Sequence, residues 1–102
     1  MDIQQIVGLL EAEWESPGGF LSRLREGVFD RTGFLRFEQL LSSIQLDNEK
    51  PFDRRFVALT WYAPTFMSWQ RERLQERGGS VDELEMAITR VQNLVEDLLG
   101  VP

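Results

Sequence analysis

Carboxylates are the only side chains in this sequence whose number and spacing could support acid–base chemistry. The 102 residues include 17 aspartates and glutamates but no histidine and no cysteine, which excludes Ser-His-Asp triads, thiolate nucleophiles and His- or Cys-ligated metal sites within the chain. Glu11 and Glu15 stand one helical turn apart, as do Glu72 and Glu76. Such pairs are common on exposed helices, and no motif around them predicts a cleft. We therefore predict no enzyme, no cofactor and no metal; a strongly raised carboxyl pKa would point instead to a minimal carboxylate enzyme.

The segment from Asp30 to Leu41, DRTGFLRFEQLL, resembles the second half of an EF-hand calcium loop. Gly33 stands where that loop bends, and Leu35 occupies its hydrophobic position. Aligning Gly33 with the loop's sixth position puts Val28 at the first ligand position and Gln39 at the twelfth, where a calcium loop needs carboxylates. The residues therefore favour a turn at DRTG followed by an amphipathic helix, without bound calcium.

The net charge of −6 is unevenly distributed along the chain. Residues 1–16 and residues 80–102 each carry −4, whereas residues 17–79 carry ten basic and eight acidic side chains. Nucleic-acid binding requires a basic face, so this distribution argues against a nucleic-acid partner. Acidic surfaces attract basic macromolecules, so we expect a basic protein partner.

The N-terminal segment and the composition predict a soluble protein. Residues 1–16 lack the basic region of a signal peptide, and no apolar run approaches the length of a membrane span. The absence of cysteine fits a reducing compartment. We expect a cytoplasmic protein that does not associate with membranes, and the use of arginine rather than lysine is compatible with a GC-rich bacterial genome.

The spacing of apolar residues predicts an all-α fold over a single domain, residues 1–102. Stripes at i, i+3, i+4 and i+7 recur along the chain, and no strand-like alternation is present. We expect a compact bundle or orthogonal array of five to six short amphipathic helices. The predicted stripes are Ile3–Trp14 with Asp2 as N-cap, Phe20–Val28, Phe34–Ile44, Phe52–Ala63 with Pro51 as a first helical residue, Pro64–Arg77, and Leu84–Leu98 after a capping box at Ser80 and Glu83.

Aromatic side chains crowd around Pro64, where a proline must kink one helix or begin another. We favour a new helix with Pro64 in its first turn. Trp61 falls off the apolar stripe of its helix, Trp61 and Trp69 are the expected exposed members, and Tyr62 is expected to be half-buried. Tryptophan, tyrosine and arginine are enriched in binding hot spots. The alternative is that these rings wedge the break into the core, covered by arginine stems.

The segment QRERLQERGG, residues 70–79, offers only Leu74 for burial. Its charges alternate in sign, which is typical of a solvated helix. We expect this helix to be weakly held, so that it either projects from the body or is covered by a partner.

These features favour an interaction protein over an enzyme. The leading hypothesis is an acidic inhibitor, of the immunity-protein type, that binds a basic effector such as a toxin and occludes it. The alternatives are a structural or regulatory adaptor subunit that self-associates as a homodimer or docks in a larger assembly, and binding of a small ligand in a helical pocket. The candidate partner-binding residues are the acids Glu11, Glu13, Glu15, Asp82 and Glu85, the aromatics Trp61, Tyr62 and Trp69, and the bases Arg71 and Arg73.

Overall fold

Seven α-helical segments joined by short connections form the secondary structure of residues 1–102, all of which are described by the computed structural model. No strand is present, so the predicted all-α fold is confirmed. The segments are α1 (Ile3–Glu15), α2 (Phe20–Arg25), α3 (Arg31–Ser43), α4 (Arg54–Trp61), α5 (Ala63–Ser68), α6 (Arg71–Glu76) and α7 (Val81–Leu99).

Helices α4, α5 and α6 follow one another so closely that they form one broken unit, which gives five helical units in all. Tyr62 alone joins α4 to α5, and Pro64 lies in the first turn of α5, as predicted. A second break at Trp69 and Gln70 interrupts the helix that was predicted to run on to Arg77. The amides of Trp69 and Gln70 bond to carbonyl groups three residues back, so the helix tightens and turns there.

Side chains cap the helices largely where the sequence indicates. The Asp2 carboxylate accepts from the Gln5 amide at 2.9 Å, and the Gln5 side chain accepts from the Asp2 amide at 2.9 Å, which is a complete capping box. Ser80 accepts from the Glu83 amide at 3.2 Å, as predicted. The side chain of Glu83 pairs with Arg31 instead of returning to Ser80, so only half of that box forms.

The predicted starts of α3 and α4 are wrong. DRTG is not a turn: Asp30 is the N-cap, and α3 begins at Arg31. Helix α4 begins at Arg54 because Asp53 caps it, accepting from the Phe56 amide at 2.9 Å. Pro51 therefore lies outside the helix rather than in its first turn.

Two apolar residues assigned to buried stripes are exposed. Phe52 precedes the cap of α4 and is half-exposed. Val28 follows Gly27, whose φ of +84° reverses the chain at the end of α2 and turns Val28 away from the core. The left-handed conformation of Gly27 therefore ends the apolar stripe of α2 before Val28.

A single cluster of 22 buried side chains forms the hydrophobic core. Helix α7 packs against α3, α5 and α6, while α1 packs against α2 and α4. Phe20 lies at the centre, in contact with Phe29, Phe34 and Phe37 at ring-centroid distances between 5.5 and 5.7 Å. None of the helices combines the length and the hydropathy that crossing a membrane requires.

Helix α6 is anchored more firmly than its sequence suggests. Leu74 is 1% exposed and belongs to the core, and Gly79 closes over it without a side chain. Arg73 donates to the carbonyl of Arg25 at 2.9 Å, which ties α6 to the end of α2. The helix therefore packs against the body and does not project.

Candidate functional site

Trp61, Tyr62 and Trp69 form a continuous surface feature, here called the aromatic ridge. The break between α4 and α5 places Trp61 at the end of α4 and Tyr62 at the join. Trp69 is the residue that follows the end of α5. The rings meet edge to face, with Tyr62 at 5.5 Å from Trp61 and 5.7 Å from Trp69. Trp61 is 53% exposed and Trp69 is 66% exposed, whereas Tyr62 is partly buried, as the sequence predicted.

Buried groups hold the ridge in place from below. Trp14 stacks on Tyr62 at 6.2 Å and contacts the edge of Phe66 at 5.0 Å. Its indole Nε1 donates to the carbonyl of Leu59 at 3.0 Å, which fixes the ring against the last turn of α4. The ridge thus presents large apolar surface on a preorganised support, the arrangement that limits the entropy lost on binding.

A groove between α5 and α7 follows one side of the ridge, and is here called the α5–α7 groove. It has a volume of about 410 Å³. Trp61 forms a wall, and the apolar side chains of Pro64, Ile88 and Val95 contribute to its lining. Its polar and charged lining residues are Thr65, Ser68, Arg71, Gln92 and Glu96.

Of the two charged residues that line this groove, Arg71 forms an ion pair and Glu96 does not. Arg71 forms a bidentate ion pair with Glu85, with Nη2 to Oε2 at 3.1 Å. Hydrogen bonding within this pair lowers the pKa of the Glu85 carboxyl and raises the pKa of the Arg71 guanidinium. The Glu96 carboxylate accepts only from the side-chain Nε2 of Gln92, at 3.4 Å, and no base pairs with it.

A smaller groove of about 250 Å³ lies beside Tyr62 and is lined in part by Trp14, Glu15, Arg25 and Arg55. The Arg25 guanidinium lies 5.3 Å from the centre of the Phe66 ring and forms no ion pair. A base without an ion pair therefore lines the smaller groove, whereas an acid without one lines the α5–α7 groove.

Glu11 and Glu15 lie on the exposed face of α1, next to α4. Arg55 donates to Glu11 at 3.1 Å and to Glu15 at 3.4 Å. Negative charge in the last turn of a helix is locally unfavourable, and Arg55 offsets part of that cost from outside the helix. One negative charge remains on this group of three side chains.

Glu13 lies inside the protein rather than on this acidic face. Its side chain is 6% exposed and accepts from the Phe20 amide at 3.0 Å. Arg36 donates to both carboxylate oxygens, at 2.9 and 2.8 Å, and this hydrogen bonding raises the pKa of the Arg36 guanidinium. Glu13 joins α1, α2 and α3, and it is withdrawn from any surface that a partner could contact.

The remaining predicted residues do not converge on one place. Arg73 is engaged with the end of α2, and Asp82 is exposed in the first turn of α7. Asp82 and Glu96 stand near opposite ends of α7, about 21 Å apart along its axis. The predicted set therefore divides into the ridge with the Arg71–Glu85 pair beside it, the pair Glu11 and Glu15, the buried Glu13, and the separate residues Arg73 and Asp82.

Sequence reasoning missed the contribution of Glu96. The signal was present, because the last turn of α7 carries Glu96 and Asp97 and no basic residue, against the preference of a helix C-terminus for positive charge. Gln92 precedes Glu96 by one turn, so both were predictable on one face of the helix.

No three carboxylates are grouped as metal ligands. A separate depression of about 550 Å³ lies between the start of α1 and the connection from α3 to α4, lined in part by Ile3, Leu46, Lys50 and Phe52. No protein-family model matches the chain, and no curated protein and no solved structure was found to be similar to it. Its function must be inferred from its own residues and their arrangement.

Proposed function

We propose that this protein is a non-enzymatic interaction module that binds a basic protein partner and occludes it, in the manner of an immunity-type inhibitor of a toxin in the bacterial cytoplasm. The observation that carries the proposal is the aromatic ridge, in which two tryptophans that are each more than half exposed flank Tyr62 on a buried support. An enzymatic role has no comparable feature to support it.

The ridge has the properties of a binding anchor. Trp and Tyr dominate interface hot spots because they bury much area with few rotatable bonds. Covering exposed apolar surface gains roughly 25 cal/mol for each Å² removed from water. Since Trp14 already fixes Tyr62, little further ordering is required when a partner covers Trp61 and Trp69.

The charge distribution supports a basic partner. The net charge of −6 attracts cationic macromolecules over a distance set by the ionic strength. Acidic charge that no base compensates lies in two places near the ridge, one unit in the Glu11–Glu15–Arg55 group and two at the end of α7. Such charges raise the association rate, whereas the aromatic contact sets the dissociation rate.

The second candidate is an adaptor subunit that self-associates through the ridge. Two exposed tryptophans on one surface could pair with the same surface of a second copy around a two-fold axis. An apolar homodimer would be nearly independent of salt, whereas steered binding to a basic partner slows as salt rises. Sedimentation equilibrium at low and high salt separates the two candidates.

The decisive experiment compares three forms of the protein as bait in lysate of the source organism, with mass spectrometry of the retained proteins. These are the wild type, the double variant Trp61→Ala/Trp69→Ala, and the control Met86→Ala, which removes an equally exposed apolar side chain from α7. We expect one basic polypeptide to be retained in equal amount by the wild type and by Met86→Ala, and to be lost from the double variant. Equal retention by all three forms would rule out the ridge, and recovery of the bait alone would favour the adaptor.

A further inference from the structure

We propose that the α5–α7 groove binds an arginine side chain of the partner, with the ring of Trp61 against the guanidinium and the Glu96 carboxylate accepting its hydrogen bonds. This inference rests on the proposed function, because it assigns one residue of the basic partner to one place beside the ridge. It also fixes the orientation in which the partner docks.

The lining of the groove matches the two parts of an arginine side chain. The apolar Pro64, Ile88 and Val95 offer surface to the methylene stem. The exposed ring of Trp61 offers a face on which a guanidinium stacks, and tryptophan is the strongest aromatic partner for a cation. The planar guanidinium also suits bidentate bonding to a carboxylate, which a lysine ammonium does not provide.

The charges that line the groove favour a cation. Arg71 is the only base that lines it, and Glu85 neutralises this base through the bidentate pair. Glu96 lines the same groove with only the side-chain Nε2 of Gln92 as a donor. The charge left without a countercharge in the groove is therefore negative.

The end of α7 adds to this negative potential. Its last turn contains Glu96 and Asp97 and no base, and the final carbonyl groups of a helix carry partial negative charge. A guanidinium beside Glu96 would relieve this unfavourable concentration of charge. Binding a cation there should thus stabilise the helix end as well as the complex.

The smaller groove beside Tyr62 is less favourable for the same ligand. Arg25, which has no acidic partner, lines it and offsets the single negative charge that remains on the Glu11–Glu15–Arg55 group. A guanidinium there would meet no net negative charge, whereas Glu96 lines the α5–α7 groove without a countercharge. We therefore expect the partner's arginine in the α5–α7 groove.

The first test titrates the isotope-labelled full chain at low salt with the blocked peptide acetyl-Gly-Arg-Gly-amide, followed by heteronuclear NMR. Matched peptides carry citrulline, which has nearly the same shape without the charge, or lysine. We expect saturable shifts of the Trp61 indole N–H and of the Gln92 and Glu96 amides. The Trp14 indole, which is buried and bonded to Leu59, should stay unshifted.

Two variants that each remove one negative charge test whether Glu96 itself binds the arginine. Glu96→Gln should weaken arginine-peptide binding by about fivefold or more, because it removes the carboxylate that faces the groove. Asp97→Asn removes the same charge from the next position, which does not line the groove, and should weaken binding by less than about twofold. The citrulline peptide should bind the wild type as weakly as the arginine peptide binds Glu96→Gln.

Equal weakening by the two variants, equal binding of the citrulline peptide, absence of saturable shifts in the groove, or tighter binding of the lysine peptide would overturn the assignment to arginine. Shifts confined to Glu11 and Glu15 would do the same, but would leave a basic partner in place. The bait experiment distinguishes failure of the arginine assignment from failure of the proposed function. A partner retained through Trp61 and Trp69 but indifferent to Glu96→Gln would exclude the arginine groove and preserve the interaction module.

Discussion

At the scale of single residues, Glu13 shows how a surface-type residue becomes part of the core. Its carboxylate accepts three hydrogen bonds from the Phe20 amide and the Arg36 guanidinium. These bonds satisfy a free amide at the start of α2 and connect α1 to α3. A buried carboxylate is tolerable when its bonds are this complete, and because Glu13 is buried while Arg36 is half-exposed, the cost of losing them falls on the Glu13 side of the pair.

We therefore expect Glu13→Gln to lower the free energy of unfolding by about 2 kcal/mol, since the charged bonds from Arg36 are lost in a buried place. Glu15→Gln is the matched control, because its pair with Arg55 is largely exposed, and it should change stability by less than about 1 kcal/mol. Urea denaturation followed by far-ultraviolet circular dichroism measures both. Equal effects of the two substitutions would contradict the structural role of Glu13.

The Arg71–Glu85 pair makes a prediction about pH. Hydrogen bonding to Arg71 lowers the pKa of Glu85 in the folded state, so the unfolded chain binds a proton at higher pH than the native protein does. The stabilisation is complete above the unfolded-state pKa and is lost as the pH falls through the folded-state pKa. In Arg71→Gln the NMR titration midpoint of the Glu85 carboxyl should rise towards its ordinary value, while Arg54→Gln should leave it unchanged. An unchanged midpoint in Arg71→Gln would count against the pair in solution.

At the scale of elements, the junction between α1 and α2 depends on a close backbone approach at Gly19. A Cβ atom placed there would lie 2.4 Å from the carbonyl oxygen of Ala12 and 2.5 Å from that of Glu13. Both neighbours are backbone atoms, so no side-chain rotation can relieve the clash. At Gly18, one residue earlier, a Cβ would meet nothing within 4 Å.

Gly19→Ala should consequently lower the free energy of unfolding by about 2 kcal/mol or more, because α2 must move away from the end of α1. Gly18→Ala changes the chain entropy in the same way and should stay within about 1 kcal/mol of the wild type. Thermal and urea denaturation of the two variants give the comparison. If Gly19→Ala were as stable as Gly18→Ala, the described packing of this junction would be wrong.

The sequence predicted the helices well where one physical signal acted alone. The stripe from Ile3 to Trp14, the caps at Asp2 and Ser80, and the new helix at Pro64 are all confirmed. The start of α3 was missed because DRTG is also typical of a turn, although Asp30 is the N-cap of the helix. The start of α4 was missed because proline is also favoured at a first helical position, although Asp53 caps the helix, so Phe52 precedes it and is half-exposed.

At the scale of the whole molecule, the three tryptophans divide between stability and surface. Trp14 is buried and hydrogen-bonded in the core, whereas Trp61 and Trp69 are exposed. The sequence predicted that Trp61 and Trp69 are exposed, and for Trp61 the reason was periodicity, because it falls off the apolar stripe of its helix. Periodicity could not predict the burial of Glu13 or the groove beside Glu96, since both depend on contacts between residues more than 20 positions apart.

This division predicts that replacing a tryptophan by alanine lowers the free energy of unfolding much more at Trp14 than at Trp61. Trp14→Ala should cost about 3–5 kcal/mol of folding free energy, because it leaves a cavity beneath Tyr62 and frees the Leu59 carbonyl. Trp61→Ala should cost about 1 kcal/mol or less, because it loses only the edge-to-face contact with Tyr62. Equilibrium unfolding of the two variants measures the difference, and comparable losses would show that Trp61 belongs to the core.

The stacked support of the ridge also gives the molecule an optical property. The sole tyrosine, Tyr62, lies against all three tryptophans, at centroid distances between 5.5 and 6.2 Å. Excitation absorbed by this tyrosine passes to the indoles at such short range, so tryptophan emission dominates the native spectrum. We expect a partner that covers Trp61 and Trp69 to shift their emission to shorter wavelength, whereas the buried Trp14 should change little. The docking of a partner can therefore be observed in the unlabelled protein.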